Sequence, residues 1–152
     1  MNAIELTRAL ERGDHSNASF HHSSHLAVAW VYLQGSDSLA TATEKMRATL
    51  RKFATAAGKA EKYHETITVF WMRTLAALRD TTPGCDLDQI LAANPRLLEK
   101  DFPLDYYSHG LLFSDRARTS WVEPDRKPLS SNATSIHSPG SASNASHRVA
   151  CR

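Results

Sequence analysis

The chain has 152 residues, 41% of them hydrophobic and 22% charged, and a net charge of +2 at pH 7. This length favours one hydrophobic core, so we expect a single domain over residues 1–129. The small net charge, without basic residues interleaved with aromatic ones, predicts no nucleic-acid partner. No apolar run approaches the roughly 18 residues of a membrane span, and the first residues lack a secretory signal, so we expect a cytoplasmic protein without a membrane partner.

Hydrophobic periodicity predicts helices throughout the chain, and no segment shows the alternation of a strand. One predicted helix has an apolar face and a charged face, with Met46, Leu50 and Phe53 at helical spacing. The helices before and after it are apolar around most of their circumference, which predicts that both are central. The four main helices are expected at about residues 3–11, 20–33, 38–57 and 60–79.

The part of the chain after the fourth helix is expected to wrap the bundle. Short helices are predicted at about 86–93 and 114–120, with irregular aromatic segments around them. From residue 130 the sequence is rich in Ser, Asn and Gly, and such a segment buries too little apolar surface to offset its ordering entropy. The predicted fold class is therefore all-α, a compact bundle of four main helices with short C-terminal helices wrapping it and a disordered tail at 130–152.

Histidines are placed at the heads of the two central helices. His22 and His25 are three residues apart, which makes their side chains neighbours on one helical face. His64 lies in the first turns of the fourth predicted helix, and buried imidazoles require polar partners. Facing helices of a bundle often combine histidines into a metal centre, so we predict that His22, His25 and His64 bind a divalent transition metal, zinc or iron. His21 is an alternative to His22, because an i,i+4 pair with His25 serves a metal equally well.

Glu65 is the candidate catalytic residue. Next to His64, it can act as general base on a metal-bound water, as a carboxylate ligand, or as the partner of a ligand imidazole. Thr68 lies one turn beyond His64 and is the better-placed hydrogen-bond partner for that histidine. The hydroxyls of Tyr63, Tyr106 and Tyr107 are candidates for the mouth of a pocket, whereas Arg116 and Arg118 are either an anion clamp or solvated surface residues.

Three separated motifs resemble a known family. The first is Phe20-x-His22-x-x-His25-Leu26-x-x-Ala29-Trp30, and the second is Lys62-Tyr63-His64-Glu65-Thr66-Ile67-Thr68. With a third group around Tyr107-Ser108 and Trp121-Val122, the chain resembles a family of small, uncharacterised, mostly bacterial all-helical proteins over about residues 18–129. The resemblance favours His22 over His21 as the motif histidine and implies no particular activity.

Two functions from different classes fit these features. The first is a metal-dependent enzyme, a hydrolase or oxygenase, that acts on a small molecule at the three-histidine centre. The second is a non-catalytic helical module that binds a ligand or a partner and uses its histidines as hydrogen-bonded core residues. The buried faces of the second and fourth helices can also form part of a homodimer surface.

Overall fold

A computed structural model describes residues 2–13 and 20–129, and none of these residues lies in a β-strand. The prediction of an all-α bundle is confirmed. The predicted tail at 130–152 lies outside the described residues. The helices are α1 (Ala3–Arg12), α2 (His22–Gly35), α3 (Leu39–Ala56), α4 (Glu65–Thr81), α5 (Leu87–Ala93), α6 (His109–Leu112) and α7 (Asp115–Thr119), with 3-10 turns at Ala60–Lys62, Pro95–Leu98 and Phe102–Asp105.

Helix α2 lies at the centre of the bundle and packs against α1, α3 and α4. Its buried side chains, which include Leu26 and Val28, point to more than one side of the helix, as its apolar circumference predicted. The Tyr32 hydroxyl hydrogen-bonds Glu11 of α1 and Thr49 of α3, with O–O distances of 2.6 Å each. One buried hydroxyl therefore links three helices.

The connection from α3 to α4 positions the site. Gly58 follows α3 with a φ of 73°, a left-handed conformation that glycine adopts without strain. The backbone N–H of Lys59 then donates to the Ala54 carbonyl at 2.7 Å, which closes the end of α3. The chain continues through the 3-10 turn and two extended residues, Tyr63 and His64, before α4 begins. The predicted fourth helix was therefore wrong at its start, because its first five residues are not α-helical.

The C-terminal segment packs along α4. Tyr107 has no exposed surface, and its hydroxyl donates to the Val122 carbonyl at 2.7 Å. Thr66 of α4 donates to the Ser120 carbonyl and accepts from the Val122 backbone N–H, at 2.7 and 3.2 Å. These bonds attach the segment after α7 to the buried side of α4.

Candidate functional site

His22 lies at the first position of α2 and binds the backbone of a distant turn. Its Nε2 is 3.0 Å from the Leu97 carbonyl oxygen, and because a carbonyl only accepts, Nε2 bears the proton. The imidazole also packs on the Trp71 ring, with centroids 4.9 Å apart. His22 thus attaches α2 to α4 and to the turn Pro95–Leu98.

His64 is the N-cap of α4 rather than a residue within the helix. Its Nδ1 accepts from the Ile67 backbone N–H at 3.1 Å, and its Nε2 donates to the Leu112 carbonyl at 2.7 Å. The pKa of His64 lies below its ordinary value, chiefly because burial disfavours the imidazolium. Both nitrogens of a neutral imidazole are therefore occupied by backbone groups.

The predicted metal centre at His22, His25 and His64 is wrong. Within residues 2–13 and 20–129, no three side chains of His, Cys, Asp or Glu are arranged so that they can hold a metal ion. The physical reason lies in the backbone, which supplies acceptors for His22 and both an acceptor and a donor for His64. The prediction of a zinc- or iron-dependent hydrolase or oxygenase at these histidines is therefore withdrawn. The role of Glu65 as a base for a metal-bound water is withdrawn with it.

Glu65 is held in an ion pair at the first position of α4. Its carboxylate accepts from the Arg47 Nε at 2.9 and 3.1 Å and from the Arg47 Nη2 at 2.6 Å, and the Tyr63 hydroxyl donates to it at 2.6 Å. Burial alone raises the pKa of this carboxyl, but the hydrogen bonds from Arg47 and Tyr63 outweigh it, so its pKa is lowered. Glu65 is ionised and links α3 to α4, and its catalytic role stays a prediction.

An apolar cavity of about 330 Å³ lies between α2, α3, α4 and the turn Ala60–Lys62. Small side chains, among them Ala29, Ala54 and Ala57, leave the space between the helices open. The larger apolar side chains of its wall are Leu26, Met46, Leu50, Phe53, Ile67, Trp71 and Met72.

His25 belongs to the wall of this cavity and differs from the other two histidines. Its imidazole packs on the Phe20 ring at a centroid distance of 4.2 Å, and no described residue hydrogen-bonds to it. Burial, and secondly the proximity of His22, lower the pKa of His25 from 6.5 to about 4. The ring is therefore neutral at pH 7, and its nitrogen atoms have no hydrogen-bond partner among residues 2–13 and 20–129.

Two other polar side chains of the wall, Thr68 and Tyr63, have hydrogen-bond partners. The Thr68 hydroxyl donates to the His64 backbone carbonyl at 2.9 Å, not to its ring as predicted. Tyr63 donates to Glu65, and burial, assisted by the carboxylate, raises the pKa of Tyr63 to about 12. Lys59 and Lys62, which sequence reasoning missed, contribute the only side chains with a formal positive charge among the described lining residues.

The remaining predicted residues lie elsewhere. Tyr107 is buried against Val122, and Tyr106 packs on Phe70, so Tyr63 alone of the three tyrosines lines the cavity. Arg118 donates to the Glu61 carbonyl at 3.2 Å. Arg116 is exposed on α7.

Comparisons leave the family open, because no family model, curated protein or solved structure matches this chain. The motif resemblance stays a prediction. In the part of the chain that the structure describes, no helix is both long and apolar enough to cross a membrane. The cytoplasmic location also stays a prediction.

Proposed function

We propose that this protein binds a small apolar molecule in the cavity between α2, α3 and α4. The supporting observation is a cavity of about 330 Å³ whose wall is mostly apolar. Ligand sites of proteins typically have volumes of about 300–1,000 Å³ with few polar groups, and this cavity meets both criteria.

Water is a poor occupant of this space. A cavity of this size has room for several waters. Stable buried waters need two to four polar partners each, yet Thr68, His64 and Tyr63 already bond to the protein, which leaves the His25 ring as the main partner that the inner wall offers to water. Displacing such water with an apolar ligand is therefore favourable.

The structure around the cavity is preorganised, which reduces the entropic cost of binding. The His64 cap and the Thr68 bond order the first turn of α4, and the Arg47–Glu65 ion pair attaches this turn to α3. In this proposal, His22 and His64 are framework residues, and His25 is the polar group left to interact with the ligand.

The expected affinity follows from ligand size. A probe such as octan-1-ol has about nine non-hydrogen atoms, and at roughly 0.4–0.9 kcal/mol per atom it would gain about 4 to 8 kcal/mol. This corresponds to a Kd between about 1 mM and 1 μM. Trp71 lines the cavity, so binding can be followed by tryptophan fluorescence and by calorimetry.

The test is to fill the cavity from α3. Ala54 lines it, whereas Ala48 is exposed on the same helix. Ala54→Phe should abolish saturable octan-1-ol binding, and the matched variant Ala48→Phe should retain it, provided that both show a cooperative unfolding transition. If the wild type shows no saturable binding, or if folded Ala54→Phe binds as tightly as the wild type, the proposal is wrong.

A further inference from the structure

We infer that the ligand is an apolar monocarboxylate whose acid group lies at the mouth of the cavity between Lys59 and Lys62. This inference rests on the proposed function and adds the chemical class of the ligand. The supporting observation is that the charged side chains among the described lining residues, Lys59 and Lys62, are both positive.

The two lysines lie on one short turn. The Lys62 backbone N–H donates to the Lys59 carbonyl at 2.8 Å. In a 3-10 turn, residues three apart lie on the same side, as Lys59 and Lys62 do. Both side chains are exposed at one end of the wall, and both line the same cavity. This turn therefore brings two ammonium groups to one side of an apolar space.

Neither ammonium group is neutralised by the described part of the protein. By contrast, Arg47 of α3 pairs with the Glu65 carboxylate, and Arg118 donates to the Glu61 carbonyl. The side-chain ammonium groups of Lys59 and Lys62 have no hydrogen bond, ion pair or ring contact with any described residue, and none of the described residues that line the cavity is acidic. Glu61, between them in sequence, is exposed and is not part of the wall.

This charge distribution selects an anion over a neutral or cationic head group. A carboxylate at the mouth remains partly hydrated and gains attraction from two cations, while the alkyl or aryl part is buried against Trp71 and Met72. His25 is neutral at pH 7 and adds no charge to the inner wall. The selectivity for an acid is thus assigned to the lysine turn.

Three probes with the same alkyl chain test the inference, namely octanoate, octan-1-ol and octylammonium. At pH 7 and low salt, octanoate should bind about tenfold more tightly than octan-1-ol, and octylammonium more weakly than either. Raising the salt concentration should reduce the advantage of octanoate, because exposed charges are screened.

A double variant assigns the effect to the turn. Lys59→Gln/Lys62→Gln should weaken octanoate binding about tenfold and leave the Kd of octan-1-ol unchanged. The control Lys45→Gln/Lys100→Gln removes the same net charge from exposed positions that do not line the cavity, and it should keep the preference for octanoate.

The outcomes separate this inference from the proposed function. If octan-1-ol and octanoate bind with equal Kd, or if the double variant keeps the preference, the carboxylate assignment fails and the apolar binding site stands. If neither probe binds saturably, both fail. A preference for octanoate that only Lys59→Gln/Lys62→Gln abolishes supports the inference.

Discussion

His25 should make the protein less stable by about 2 kcal/mol at pH 5 than at pH 7. Its imidazole has a pKa of about 4 in the folded protein, against 6.5 for the ordinary group. Between these two values the unfolded chain binds a proton that the folded protein does not, so stability increases with pH in this window. The contribution of His25 to the free energy of unfolding is fully present above the unfolded pKa and is lost as the pH falls towards 4.

The magnitude follows from the two pKa values. At pH 5 an unfolded histidine is almost fully protonated and the folded one about one-tenth protonated, which gives a loss of about 2 kcal/mol relative to pH 7. The lowered pKa of His64 also makes the folded protein less stable as the pH falls. The carboxyl groups with lowered pKa, among them Glu65, reduce stability only at more acidic pH, where they become protonated.

The assay is urea denaturation of the wild type and His25→Leu between pH 7 and pH 5. The substitution removes the titrating group and keeps an apolar side chain against Phe20, so the variant should lose most of the dependence on pH. His109→Leu, at an exposed position on α6, provides the baseline for removing a surface imidazole. An unchanged pH dependence in His25→Leu would refute the reasoning that places a neutral imidazole in the cavity wall.

Two further predictions concern residues that hold the start of α4. His64→Ala should lower the free energy of unfolding by about 1 to 3 kcal/mol, because the Ile67 N–H loses its cap. His64→Asn, which restores an acceptor at the N-cap, should recover part of the loss, and equal loss in both variants would argue against the cap. Glu65→Gln should cost about 2 to 3 kcal/mol because its side chain is only 11% exposed and paired with Arg47, whereas Glu44→Gln, at 74% exposure, should cost less than about 0.5 kcal/mol. Urea denaturation measures all four, and similar losses at the two glutamates would contradict the buried ion pair.

Helix type and burial were predictable from the sequence because they depend on local periodicity. The apolar circumference of α2 predicted its central position, and the amphipathic spacing of Met46, Leu50 and Phe53 predicted the inner face of α3. The same apolar face of α3 now lines the cavity. What the spacing could not reveal is that its small residues, such as Ala54, leave a gap against α2 and α4.

The prediction of a metal centre was wrong because hydrophobic periodicity does not show which distant groups hydrogen-bond a side chain. His64 was predicted in the first turns of the fourth helix, but the chain is extended at this residue and its ring bonds the first turn of α4. The acceptor of its other nitrogen is the carbonyl of Leu112, which is 48 residues away in sequence. His22 likewise meets Leu97 at a separation of 75 residues. Such partners are fixed by tertiary packing, so the sequence pointed to the partly buried histidines but not to the groups that hydrogen-bond them.

The central claim, that the space between α2, α3 and α4 is a binding site, is tested most directly by the methyl signals of Met46 and Met72. Both side chains line the cavity and are nearly inaccessible, at 3% and 0% exposure. In ¹³C–¹H spectra of methyl-labelled protein, adding octan-1-ol should shift both signals saturably, with one Kd between about 1 μM and 1 mM. Signals that stay unchanged throughout the titration, or that shift linearly without saturation, would contradict the account.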